Sequence, residues 1–252
     1  MWAAQTKQRR MVPPRQARSA EGWLRRPGAL PPLFRVKPLP HVPPDVDPFV
    51  SGLPAGGSLA IVGNAPGPGV AGPAIDAADS VVRFNNAASF GDGSGCRVTH
   101  LALVNRGGQT REWLADRDFL NRPVVRAAQA FILPFPILPA AHNVPEPICW
   151  TREMLALLQP LGRPIHLLPQ ALHAQAQAGL APWTSGTPNP STGFLVTLAL
   201  LLGRPTHAKP AQAYGFGFAG WPGHPWAAER AWFAAAEAAG RIRVHPPSPQ
   251  DH

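Results

Sequence analysis

The chain has 252 residues, 45 per cent of them apolar, with 33 Pro, 24 Gly and a formal net charge of +9. That length and apolar content suit one large domain or a domain with a tail, and they exclude a chain too small or too polar to build a core. The charge is uneven: residues 1–50 hold nine Lys/Arg against three acids, so six of the nine net positive charges lie in the first fifth of the sequence.

Residues 1–55 carry Pro13, Pro14, Pro27, Pro31, Pro32 and six further prolines to Pro54. Proline fixes φ and removes a donor, so neither helix nor central strand is expected there. The segment reads as a disordered basic tail able to contact an anionic surface. A nucleic-acid-binding protein acting through that tail is one functional reading. No apolar leader follows Met1, and the longest apolar run, Phe194 to Leu202, is too short to span a bilayer. A cytoplasmic bacterial protein is the expectation. The two cysteines, Cys96 and Cys149, have no zinc spacing, and no metal is expected.

Strands and helices then alternate along residues 56–247, with 248–252 as a C-terminal tail. The apolar run 58–63 predicts a first strand, and a Gly/Pro loop from Asn64 to Gly72 follows it. A short helix is expected near 73–78 and strands at 80–84, 99–104 and 128–134. A helix at 151–159 has Thr151 as its expected cap. A strand at 164–168 and a helix at 172–178 come next. The run 194–202 is apolar on every face and reads as a helix covering a sheet. A strand at 212–217, a helix at 226–239 closed by Gly240, and a strand at 241–245 complete the series. This alternation implies an α/β domain with a mostly parallel central sheet and helices on both faces.

Four segments carry candidate chemistry. Gly63 and Asn64 end the first strand, where free N–H groups meet phosphate or ribose. Gly67, Gly69 and Gly72 spell G-x-G-x-x-G, which also admits a dinucleotide-binding oxidoreductase. Asn85 falls at the C-terminal end of the second strand, with Asp76 and Asp79 read as structural partners of Arg83. Ser191, Thr192 and Gly193 stand where the apolar helix begins, placing hydroxyl and N–H groups at its positive end. His224 precedes Pro225 at the start of the helix 226–239, with Glu229 one turn inside it, oriented to support its neighbours. The literal D-x-D pairs Asp45/Asp47 and Asp116/Asp118 read as chance.

Taken together, these segments resemble the sialyltransferase family, glycosyltransferase family 29. Its large motif is matched by Leu59-Ala-Ile-Val-Gly-Asn64 through Asp76, Asp79, Arg83-Phe-Asn85, Gly91, Gly95, Arg97 and Thr99-His100. Its small motif is matched by Pro190-Ser-Thr-Gly193 and Tyr214-Gly-Phe-Gly217, and its very small motif by His224 to Glu229. The sequence departs from the family at Ser58, where a cysteine is usual, and in lacking an evident third motif. The resemblance implies a Rossmann-like variant GT-A fold that needs neither metal nor cofactor. It implies inverting transfer of a sialic-acid-like sugar from a CMP-sugar donor to an acceptor hydroxyl. His224 would be the general base, assisted by Glu229. Gly63, Asn64, Asn85, Ser191, Thr192, Gly193, Tyr214 and Gly215 would bind the nucleotide. A catalytically inactive nucleotide-binding protein of the same fold is the alternative.

Overall fold

The computed structural model describes residues 57–65, 71–139, 142–143 and 148–246. The basic segment 1–55, and Gly67 and Gly69 of the G-x-G-x-x-G, lie outside the described residues. The strands are β1 (Leu59–Val62), β2 (Ser80–Phe84), β3 (His100–Ala102), β4 (Ala130–Leu133), β5 (Ile165–Leu167), β6 (Ala211–Tyr214) and β7 (Ile242–His245). They form one seven-stranded sheet in the order β5-β4-β3-β2-β1-β6-β7. Every pairing is parallel, so the sheet is wholly rather than mostly parallel.

Among the described residues seven α-helices accompany the strands: α1 (Gly72–Asp76), α2 (Gly108–Ala115), α3 (Pro123–Ala127), α4 (Thr151–Leu158), α5 (Gln170–Leu180), α6 (Thr192–Gly203) and α7 (Trp226–Ala238). Strand periodicity decides which side chain meets which layer. Leu59 and Ile61 of β1 face a large core built with α5, α6 and α7. Ala60 and Val62 face the opposite side, toward Ile75 of α1 and Ala78. Beyond β2 that second side is covered by α2, α3 and α4 around Trp113, Phe119, Phe131 and Met154. With both faces covered, β1 and β2 are buried along their whole length, which is why β1 reads as an unbroken apolar run, while the buried Arg83 interrupts β2.

The apolar α6 is buried from Phe194 to Leu201, as expected of a helix in the middle of a layer. Helix α7 is one-sided, burying Ala228, Glu229, Trp232, Phe233 and Ala236. It ends where Gly240, at φ 70°, donates to Glu237 O.

Two local expectations are corrected. Thr151 is the first helical residue of α4, not its cap. Its hydroxyl instead meets Asn105 Nδ2 at 2.6 Å, because the buried Asn105 amide needs a partner there more than the helix end does. Arg83 does not pair with Asp76 or Asp79. The fully buried guanidinium donates to Ser94 Oγ and to the Ser94, Gly95 and Arg97 carbonyls, pinning the loop after β2. Asp76 accepts from the Cys96 and Arg97 amides, and Asp79 from the Ser58 amide and hydroxyl. Asp116 is a surface partner of Arg122 at 2.7 Å, in keeping with a chance D-x-D.

Candidate functional site

Strand order reverses at β1. The chain steps outward from β1 through β5, then returns to lay β6 and β7 on its other side. In open parallel sheets such a reversal leaves a crevice beyond the carboxyl ends of the strands, because the connections on either side diverge. A cavity of about 450 Å³ opens at that position. It is bounded by Gly63, Asn64 and Ala65 after β1, by Phe84 and Asn85 at the end of β2, and by Gly215 to Ala219 after β6. The first residues of α6 and α7, together with Val104 and Gln109, complete its wall.

The floor is a close crossing of two chain segments. Gly63 donates to Tyr214 O at 2.8 Å, and Ala65 donates to Gly215 O at 2.9 Å. A Cβ on Gly63 would collide with the Gly215 carbonyl, and one on Gly215 would stand 2.9 Å from Gly63 O. Gly215 also has φ 64°, a left-handed conformation that glycine adopts without penalty. Both glycines are therefore fixed by backbone approach, and the approach brings the ends of β1 and β6 to one point.

Asn85 sits at φ 52° although it is not glycine. Its amide donates to Ala102 O at 2.7 Å, and its Oδ1 accepts from Val104 at 2.9 Å. These bonds hold the residue in place and occupy the carbonyl side of its amide. Its Nδ2 has no partner among the described residues and remains as a donor for the cleft. Phe218, at φ 48°, is a second cleft residue in left-handed backbone, packed on Phe233 at 5.0 Å and under Arg230 at 5.7 Å. Non-glycine residues persist in such backbone only where the surroundings impose it.

The α6 end of the cleft is built around Ser191. Its hydroxyl caps the helix, accepting from Phe194 N at 3.1 Å. The same hydroxyl donates to Glu229 Oε2 at 2.7 Å, while the Ser191 amide donates to Glu229 Oε1 at 2.7 Å. Glu229 is 2 per cent exposed. Burial pushes its carboxyl above the ordinary range, against the two Ser191 hydrogen bonds and the nearby His224, which pull it down. Glu229 thus ties the start of α7 to the start of α6. Thr192 and Gly193 follow the cap, so the opening turn of α6 borders the cleft.

His224 lies at the rim with Nδ1 2.9 Å from Asn189 O. A carbonyl only accepts, so Nδ1 is the donor to Asn189 O, and in the neutral tautomer this leaves Nε2 as an acceptor. Trp221 and Trp226 flank the ring edge-on at 4.9 and 5.1 Å.

The structure gathers Gly63, Asn64, Asn85, Ser191, Thr192, Gly193, Gly215, His224 and Glu229 around this one cavity. Tyr214 is left out of it. Its side chain points to the opposite face of the sheet, stacked on His245 at 4.3 Å with an interplanar angle of 7°. Phe84, Val104, Gln109, Phe216, Phe218 and Trp226 also line the cavity and were not among the expected site residues. For Phe84 and Val104 a signal existed, since each stands at or just past the carboxyl end of a parallel strand.

No family model matches the chain. Over 207 residues it is 30 per cent identical to the urease operon 23 kDa accessory protein of Rhizobium meliloti (strain 1021), spanning 77 per cent of this chain and 95 per cent of that protein. Among solved structures, a mammalian sialyltransferase matches with TM-score 0.46 and 17 per cent identity, over 75 per cent of this chain and 68 per cent of its own. The Campylobacter jejuni sialyltransferase CstII, in complex with the substrate analogue cytidine-5'-monophosphate, matches with TM-score 0.47 and 12 per cent identity, over 77 and 80 per cent of the two chains. The solved neighbours are thus sialyltransferases, while the relative in sequence is a urease operon accessory protein. That relative overturns the expected transfer of a sialic-acid-like sugar from a CMP-sugar, and with it the base role assigned to His224. Among the described residues no helix is long and apolar enough to cross a membrane.

Proposed function

The chain belongs to the family of the urease operon 23 kDa accessory protein, and we propose that it serves a urease operon as an accessory protein that binds a small phosphate-bearing ligand of the nucleotide class. The observation that carries the ligand class is the cleft at the reversal of strand order, bordered by the capped start of α6. The helix end supplies partial positive charge and free N–H groups to a phosphate without a lysine or arginine. Asn85 Nδ2 and the Asn64 side chain add neutral donors. Phe84, Phe216 and Phe218 offer an apolar wall for a flat ring, with Phe84 and Phe216 edge-to-face at 6.1 Å. In this reading His224 Nε2 accepts a hydrogen bond from a ligand hydroxyl or amine, and the two glycines of the floor let the ligand approach backbone.

The test is calorimetry and thermal unfolding with AMP, CMP, GMP, UMP and inorganic phosphate. At a hundred times its dissociation constant, a ligand of the native state adds about 2.7 kcal/mol of stability. Gly193→Val is expected to abolish binding, because a Cβ there already stands 3.3 Å from the Phe216 ring and the added methyls occupy the cleft. In cells lacking the gene, the wild-type chain should restore urease activity and Gly193→Val should not. Failure of every nucleotide to bind refutes the ligand class. Unchanged urease activity in the deletion refutes the accessory role.

A further inference from the structure

The charge inventory of the cleft is unusual for a place that takes an anion. Among the described residues no Lys or Arg lines it; the titratable side chains in its wall are Glu229 and His224. Both Glu229 oxygens accept hydrogen bonds from Ser191, one from an amide and one from a hydroxyl that itself accepts from Phe194 N. An amide can only donate, so Oε1 is an acceptor, and with Ser191 Oγ donating to Oε2 the pair suits the ionised carboxylate.

Nothing cationic compensates it among the described residues. Helix α6, which faces it, contains no titratable residue. On α7 itself, Arg230 reaches toward Gly217 O and the Phe218 ring, and Glu237 is turned away to Val244 N. From α5, His173 is bonded to Pro134 O. The turn Ala181–Trp183 that packs on α7 has no titratable side chain. Among the described residues, His224 is the side chain whose charge acts on the carboxylate.

We infer that Glu229 is the positioning and charge-selecting residue of this cleft: it holds the start of α6 from behind, and its negative charge restricts the ligand to a single phosphate. The inference rests on the nucleotide-class reading above. A like charge a few ångströms away in a partly desolvated wall disfavours each added phosphate, whereas a single one is offset by the opening turn of α6. By linkage, a phosphate that enters also raises the affinity of Glu229 for a proton, so binding takes up protons. The burial that already favours the neutral carboxyl acts in the same direction.

The experiment compares the wild type with Glu229→Gln and Glu237→Gln. Calorimetry at pH 8 and 6.5 uses AMP, CMP, GMP and UMP and the matching triphosphates, in two buffers of different ionisation enthalpy. The ligand's own ionisation is common to every variant, so differences between variants report the side chain. The wild type is expected to bind the preferred monophosphate at least about tenfold more tightly than its triphosphate at pH 8, the scale of one pKa unit of like-charge interaction. Glu229→Gln should reduce that preference to about twofold and lower proton uptake. Glu237→Gln, which neutralises a carboxylate of the same helix that is turned away to Val244 N, should retain both. Equal wild-type affinity for mono- and triphosphate, or full preference in a folded Glu229→Gln, overturns the inference and leaves the ligand class standing. Should Glu229→Gln not fold, the wild-type charge series decides alone. Absence of binding by all nucleotides removes the ligand class and this inference with it.

Discussion

Gly63→Ala tests the crossing that forms the floor of the cleft. The added Cβ would stand 3.0 Å from the Gly215 carbonyl carbon, closer still to its oxygen, and 3.4 Å from the Phe216 ring. The oxygen cannot swing aside, because it is backbone and accepts from Ala65 N at 2.9 Å. Relief must come from moving the end of β1 away from β6, which strains a close-packed core at about 1–3 kcal/mol. It also stretches the Gly63–Tyr214 and Ala65–Gly215 hydrogen bonds, each contributing about 1 kcal/mol. The expected loss is about 3 kcal/mol, a fall of about 6–12 °C in unfolding temperature for a domain of this size. Gly91→Ala is the control. Gly91 has φ 90° with nothing within 4 Å of the added Cβ, so it reports backbone strain alone, about 1–2 kcal/mol. Urea denaturation of both variants gives the comparison. A Gly63→Ala protein that loses less stability than Gly91→Ala would falsify the crossing as a steric constraint.

Further expectations concern the buried polar groups. Ser191→Ala removes the α6 cap and one of the two donors to Glu229, and should cost about 2 kcal/mol in urea denaturation; no loss would show that the cap is idle. Arg83→Met strips four hydrogen bonds from the loop after β2 and leaves buried carbonyls unpaired, with an expected loss of about 3 kcal/mol or more. A loss under about 1 kcal/mol would mean that water replaces the guanidinium. His100 is held down to about 4 by burial and by neighbouring His166, while the unfolded chain titrates near 6.5. The unfolded state therefore binds the extra proton between those values, and stability falls as pH drops from 6.5 toward 4, by up to about 3 kcal/mol. His100→Gln should flatten that part of the pH–stability curve; an unchanged acid limb would refute the assignment.

Much of the fold was legible because the sheet is buried on both faces. β1 reads as an apolar run since every residue in it meets a layer. The apolar α6 announced its place in the same way. Helix α2 was not legible: Gly108–Ala115 buries only Thr110 and Trp113, too few apolar positions for a periodic signal. Gln109 reaches the cleft from that helix, so it was missed with it. Tyr214 misled for the opposite reason. Its neighbours Gly215 and Gly217 do line the cleft, but alternation along β6 turns its own ring to the other face. The pairing of Gly63 with Gly215 could not be read from spacing at all, since it depends on two strands far apart in sequence becoming neighbours. The function went astray for a different cause. Motif residues report which backbone ends meet at a cleft, and the same cleft can serve quite different chemistry.

The place of β1 in the sheet also bears on how the molecule comes into being. Ala60 pairs with Val81 on one side and with Gln212 on the other. The first partner follows within a helical turn and a loop; the second arrives some 150 residues later. Contacts of such long sequence separation slow folding, because loop closure precedes any reward. During synthesis β1 and β2 can pair early, yet the binding surface has no second wall until β6 leaves the ribosome. On the proposed reading, ligand affinity is therefore a property of the finished chain, and truncation before β6 is expected to remove it, since Gly215 to Ala219 form one wall of the cleft.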